Sequence, residues 1–255
     1  CSVLYDFCRT VDDIVDENGQ LVEKKRKFLE FKLEFQNKKF SNSIIKNIHI
    51  LLEEENISHK IINDLFDGIE SDLKDKVSLN TKKDLLIYSY QVAGTVGLMM
   101  AKILKVKDKQ SLRCAIDLGV AMQLTNIARD VVEDKKRNRS YIKTDFNSIS
   151  ETIFLADTFY QSSFMAIKDI PIFSRFAILV ARRMYKKIGH KILAQRNMKA
   201  YNDAGKVHVS VLGKIVETFL SFLDFVKLFF VNSSDPKKQN EHIMLHKEIN
   251  LDEKI

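Results

Sequence analysis

The chain has 255 residues, 45% of them apolar and 29% charged, and its 41 basic and 34 acidic side chains give a formal charge of +7. Those proportions exclude wholesale disorder. With only 8 glycines and 2 prolines, a turn-rich β-sandwich, barrel or dinucleotide-binding sheet is excluded as well, and an all-α protein is predicted. In chain order, apolar residues recur at helical spacing over residues 21–37, 44–55 and 61–73, the last after a Ser58 N-cap. Residues 81–104 and 111–134 are apolar nearly all round, as expected of buried central helices. Residues 148–168, 171–201 (opened by Pro171) and 207–231 complete the set. The periodicity then fades, so a helical domain over 1–231 is expected to precede a disordered tail over 232–255. The chain opens on Cys1 rather than Met and enters a helix directly, which reads as an N-terminally truncated domain. The longest apolar run, 216–231, is shorter than the roughly 20 residues of a spanning helix and carries Glu217, Asp224 and Lys227.

Cys1, Cys8 and Cys114 lack CxxC spacing, which argues against a disulfide framework or a zinc site and makes a reducing cytosol the simplest compartment. The chemistry concentrates elsewhere. In YDFCRTVDDIVDE, Asp12 and Asp16 stand four apart, so on a helix their carboxylates share one face, with Arg9 and Tyr5 one and two turns earlier. Alone, this pair reads equally well as a solvated surface face. In QLTNIARDVVED, Asn126, Asp130 and Asp134 repeat the spacing at the end of an otherwise apolar helix. An apolar helix that turns acidic on one stripe resembles the floor of a cavity with a charged mouth. Oxygen-only ligands on rigid helices suit Mg²⁺, which keeps several waters and accepts one or two carboxylates plus substrate phosphates. Lys135, Lys136, Arg137 and Arg139 follow as phosphate donors. Together the two stripes point to a metal-bridged diphosphate site.

Between them, YSYQVAGTVG carries Gly94 and Gly97 inside the most apolar helix, each costing about 1 kcal/mol against Ala. Close helix packing and room for a hydrocarbon chain explain them equally well. Tyr88 offers a hydroxyl or a π-face to a developing carbocation.

These segments, together with VGLMMAKIL and RRMYKKIG, resemble in order and spacing the squalene/phytoene synthase family, and within it are most similar to bacterial phytoene synthases. The resemblance spans about residues 1–215. It implies an all-α, single-domain, isoprenoid-synthase-type helical bundle around a central apolar cavity. It also implies a Mg²⁺- or Mn²⁺-dependent prenyltransferase joining two geranylgeranyl diphosphates head to head, through a cyclopropyl diphosphate, to phytoene. By position it implies metal-site roles for Asp12, Asp16, Asn126, Asp130 and Asp134, with Asp12, Asp16, Tyr88 and Asp130 carrying the catalysis. Tyr5, Arg9, Arg139 and Tyr141 would line the diphosphates, Tyr88 would face the reacting carbons, and Val92, Ala93, Gly94 and Gln123 would contact substrate. Three features depart from the family pattern. Ser89 and Gln91 replace a commoner Cys and His, Lys143 stands where Pro is usual, and an N-terminal helix contributing a Ser and a Phe to substrate is absent.

The alternatives are a C30 squalene or dehydrosqualene synthase using farnesyl diphosphate, a type I terpene cyclase, or a non-catalytic helical assembly subunit. The last two fit less well: a cyclase normally has Ser or Thr in the middle of its second metal motif, and an assembly subunit typically degrades both acidic motifs. The six histidines form no metal pattern, and no motif supports nucleic-acid binding. Lys24–Lys27 and the Arg182–Lys187 basic groups read as solvated faces. The helix bearing Phe219, Phe222, Phe225, Phe229 and Phe230 reads first as core and second as a peripheral membrane contact. A cytoplasmic monomer, peripheral on the inner membrane face, is the resulting expectation.

Overall fold

Helices account for most of the computed structural model, which describes residues 1–16, 19–230 and 240–255. They are α1 (Ser2–Asp16), α2 (Leu21–Gln36), α3 (Ser43–Glu54), α4 (His59–Ser71), α5 (Lys82–Ser89), α6 (Thr95–Ile103), α7 (Lys109–Lys136), α8 (Phe146–Phe164), α9 (Ile172–Leu193), α10 (Met198–Ala204), α11 (Val211–Lys227) and α12 (Asn240–Glu248). The all-α expectation holds. A single pair of two-residue parallel strands, β1 (Val77–Ser78) and β2 (Arg139–Ser140), stitches the turn after α4 to the turn after α7.

Side-chain caps mark most helix starts. Thr81 and Asp84 form a capping box at α5, and Asp108 accepts the Ser111 N–H at 2.7 Å to open α7. The 28-residue α7 runs through the centre with buried residues on nearly every face, which is why its sequence lacks a polar side until its last turns. Helices α6, α8 and α9 pack around it. The main core joins α1, α2 and α4 through Phe7, Phe28, Phe31, Phe35 and Phe66, whose ring centroids lie 5.4–6.4 Å apart. A second core joins the C-terminal half of α7 to α8, α9 and Tyr201 of α10.

The structure departs from the predicted elements in three places. Residues 171–201 are not one helix: α9 ends at Leu193, Arg196 adopts φ 63°, and Asn197 caps α10 through the Ala200 N–H at 2.9 Å. Residues 81–104 are interrupted by a π-turn at Tyr90–Gly94, between α5 and α6. The tail also differs. Residues 232–239 lie outside the described residues, but 240–255 are ordered as α12 and a short 3₁₀ turn, with Leu245 and Leu251 buried. Ion pairs hold this segment down: Lys82–Glu241 at 3.3 Å, Lys83–Glu248 at 2.7 Å, Arg113–Asp252 at 2.7 Å and Lys60–Glu253 at 2.8 Å. Such docking depends on partners far away in the chain and leaves no local periodicity to read.

The glycine ambiguity resolves toward close packing. A Cβ on Gly97 would stand 2.3 Å from the Ala115 carbonyl oxygen, and one on Gly119 would stand 2.3 Å from that of Ala93. Only hydrogen at these two positions lets the Tyr90–Ile103 stretch lie directly on α7.

Candidate active site

The C-terminal end of α1 and the last turns of α7 line one polar cleft of about 360 Å³. Asp12 and Asp16 come from one helix and Asn126, Asp130 and Asp134 from the other, so two stripes more than 100 residues apart in sequence meet in one space. Asp12, Val92, Gln123 and Asn126 also border an apolar cavity of about 430 Å³, which runs on between α7, the π-turn, α6 and α9. Ala93, Met100, Leu118, Met122 and Tyr185 are among its walls. Charged mouth and greasy interior are therefore continuous.

The cleft floor is a bonded triad. Tyr88 and Tyr141 stack with centroids 4.7 Å apart, and each donates its hydroxyl to Asp72 at 2.7 Å. Burial pushes the Asp72 carboxyl up, against the opposing pull of Arg139 and the two hydroxyls. The β1–β2 pairing carries Arg139 and Tyr141 to this point. Arg137 and Arg139 then reach back to Asp16 at 3.6 and 3.8 Å, joining the turn after α7 to α1.

Carboxylates crowd the cleft. Burial, reinforced by the Asp16 charge, raises Asp12 to about 6. Burial, reinforced by Asp130, raises Asp134 to about 7. Asp130 is compensated by Arg129, whose Nε and Nη2 bond its two oxygens at 2.8 and 2.5 Å, and by Lys206 at 3.4 Å. The Asn126 amide oxygen is buried and accepts no hydrogen bond. An orphaned oxygen, two under-compensated carboxylates and an all-oxygen donor set fit a hard divalent cation. Among the described residues no three acidic, His or Cys side chains converge tightly enough to enclose an ion. The site thus suits a metal that keeps water and shares a substrate's phosphate oxygens, rather than a closed protein cage.

Three predicted site residues stand apart from the cleft. Tyr5 is 66% exposed, and at 1.5 Å per residue it lies about 10 Å along α1 from Asp12. The Arg9 side chain is 63% exposed and turns to Asp13, at 3.0 Å, instead of the acidic stripe. Gly94 is buried in the seam with α7, where a Cβ would meet Ile116 at 3.1 Å. Tyr88, Val92, Ala93, Gln123, Arg139 and Tyr141 all line the cleft or the cavity. The sequence reading missed Asp72, Arg129 and Tyr201, whose hydroxyl donates to the Ala128 and Arg129 carbonyls at 3.0 and 2.6 Å and steadies α7 beside Asp130. Arg129 was within reach, being next to Asp130; Asp72 and Tyr201 lie in no recognisable pattern. Cys8, on the cavity wall, is pushed up to about 12 by burial and by the Asp12 charge, so it is an inert thiol.

Comparison with known proteins agrees with this geometry. The family model described as squalene/phytoene synthase matches residues 1–147. A 15-cis-phytoene synthase of Enterobacter agglomerans is 30% identical over 226 residues, 75% of this chain and 75% of that protein. One from Pantoea ananas is 28% identical over 223 residues, 74% of this chain and 72% of its own. Among solved structures, a dehydrosqualene synthase in complex with ligand superposes with a TM-score of 0.67 at 25% identity, covering 88% of this chain and 85% of that one. Its fold is of the same isoprenoid-synthase-type helical kind. The chain belongs to the squalene/phytoene synthase family, whose members are prenyltransferases that join prenyl chains head to head.

Proposed function

We propose that this chain couples two geranylgeranyl diphosphates head to head, through a cyclopropyl (prephytoene) diphosphate, to phytoene, the entry to carotenoid biosynthesis. One observation carries the reading: two acidic stripes face a shared cleft that opens directly into an apolar cavity. Asp12 and Asp16 on one side, and Asn126, Asp130 and Asp134 on the other, would hold Mg²⁺ or Mn²⁺. When bound, the ions supply positive charge that makes diphosphate a competent leaving group.

The chain's own groups do the rest. Arg137 and Arg139 donate to diphosphate oxygens not engaged elsewhere. The apolar walls hold both prenyl tails and exclude water, so an allylic cation formed at the cleft meets the 2,3 double bond of the second substrate rather than a hydroxide. Loss of a proton closes the three-membered ring. A second ionisation, rearrangement and proton loss then give the hydrocarbon. The stacked Tyr88 and Tyr141 rings, fixed by Asp72, offer π-density to the cation at the boundary between mouth and tunnel. Every carboxylate acts electrostatically and none as a nucleophile.

Likeness to a dehydrosqualene synthase favours a second reading, in which the substrates are two C15 farnesyl diphosphates. Supplying the protein with Mg²⁺ and labelled C15 or C20 diphosphate and weighing the hydrocarbon separates the two. A C40 product from the C20 substrate supports the proposal, a C30 product alone transfers it to the second reading, and no hydrocarbon from either overturns both.

A further inference from the structure

Helix α11 has its polarity reversed for a helix facing water. At 3.6 residues per turn, its apolar side chains from Val211 through Ile215, Phe219, Phe222 and Val226 to the following Phe230 fall within about 140° of arc, and all of them are exposed. The side turned inward is polar. Glu217 and Ser221 are buried, and Glu217 takes Arg183 at 3.0 Å and Lys187 at 3.4 Å while Asp224 takes Arg183 at 2.8 Å. The acids are thus hidden against α9 and the hydrocarbon is displayed. Lys214 and Lys227 flank the apolar arc on its two edges. Phe173, at the start of α9, is 96% exposed. It lies at the same end of the molecule as the C-terminus of α11, since Arg175 stands 5.6 Å over the Phe229 ring and Phe176 lies 6.3 Å from Phe225.

Beside this face, between α9 and α11, runs a groove of about 250 Å³. Arg182, Arg183, Lys186, Lys187 and Lys227 line it against Glu217 and Asp224, five formal cations to two carboxylates. Asp157, outside the lining, offsets part of Lys186 at 3.2 Å. Lys227 rests over the Phe164 ring at 5.6 Å, so its charge stays at the groove. An apolar arc with cationic edges and a cation-rich groove alongside matches the two layers of an anionic phospholipid leaflet, acyl chains and phosphates. A second copy of the chain fits worse, because a two-fold interface on this face would bring the same cationic rims together.

We infer that the α11 face docks on an anionic phospholipid bilayer, with the outer arc of α11 and Phe173 entering the acyl boundary and the α9–α11 groove receiving a headgroup phosphate. This surface is separate from the carboxylate cleft, and lipid binding is measured without any turnover. Its failure is therefore independent of the proposed reaction.

The test is flotation of the protein with vesicles of phosphatidylcholine alone and of equal parts phosphatidylcholine and phosphatidylglycerol. The wild type floats with the anionic vesicles, and added salt weakens that binding. The pair Phe219→Ser and Phe222→Ser lowers partition at least about tenfold on the anionic vesicles. The pair Lys187→Ala and Lys227→Ala lowers it by about tenfold on anionic vesicles and leaves the weak phosphatidylcholine binding unchanged. Circular dichroism checks that each variant is helical, and Leu212→Ser with Ile215→Ser replaces the phenylalanine pair if that variant does not fold. A wild type that stays unbound on both vesicles overturns the inference. So does a set of variants that float like the wild type. A dimer in light scattering that the phenylalanine pair converts to monomer overturns it too, by making a second copy the occupant.

Discussion

The two acidic stripes share one internal pattern. On α1, Asp16 is approached by Arg137 and Arg139, whereas Asp12, deeper in, has been raised to about 6 by burial and by its neighbour. On α7, Asp130 is gripped by Arg129 and Lys206, whereas Asp134 has been raised to about 7 by burial and by Asp130. Each helix therefore carries one carboxylate with a protein cation and one without. The difference between the helices lies in who supplies that cation. The α7 stripe is compensated by its own adjacent residue and by Lys206, while the α1 stripe relies on the turn after α7. The unpaired members, Asp12 and Asp134, are where external positive charge is most favoured.

The comparison is broken most severely by removing one carboxylate from either side. Asp12→Ala and Asp130→Ala are each expected to cut hydrocarbon formation by about 10²–10³-fold or more, with unchanged circular dichroism, because transition-state charge stabilisation disappears while a helix surface position is merely shortened. Near-normal product yield from either variant removes the site assignment.

A subtler contrast lies in metal-free stability. Asp130→Asn leaves Arg129 and Lys206 without their carboxylate and should cost about 1 kcal/mol, discounted for partial exposure. Asp134→Asn relieves repulsion and should raise stability by less than about 1 kcal/mol. Chemical denaturation without divalent ions reads the two signs, and equal destabilisation by both would mean that Asp134 is compensated after all.

The smallest expected effect is a pH trend. Asp12 and Asp134 bind protons more tightly in the folded chain than in the unfolded one, so between the ordinary carboxylate range and about 7 the folded state holds more protons. Their contribution to stability therefore falls as pH rises through that window. Mg²⁺ competes with those protons, so the rise in melting temperature on adding Mg²⁺ should grow as pH climbs through it. A metal shift independent of pH would place the ion away from both carboxylates.

The stripes were legible because four-residue spacing survives folding: a helix puts Asp12 with Asp16, and Asn126 with Asp130 and Asp134, on one side whatever surrounds it. Which turn of α1 borders the cleft was not legible. The cleft begins at Asp12, so Tyr5 falls beyond its edge, and Arg9 is diverted by Asp13, a residue the spacing argument ignored. Asp72 ends α4 with no periodic signal, and only a parallel pairing of four residues brings it under Tyr141. The docking of 240–255 was equally hidden, since its anchors Lys60, Lys82 and Arg113 come from three separate helices. Helix α11 was read first as core because its phenylalanines are so many; the structure puts its acids inside and its phenylalanines outside.

The π-turn at Tyr90–Gly94 has a consequence for lineage and engineering alike. It houses one residue more than an ordinary turn, and a one-codon deletion there would let the helix rewind, swinging everything downstream by about 100°. Gly97 would then leave its seat against Ala115, and a neighbour bearing a side chain would arrive where a Cβ has 2.3 Å of clearance. The stretch can accept changes of residue but not of length. In aligning distant members of the family, a gap through these five positions should be read as a misalignment before it is read as history.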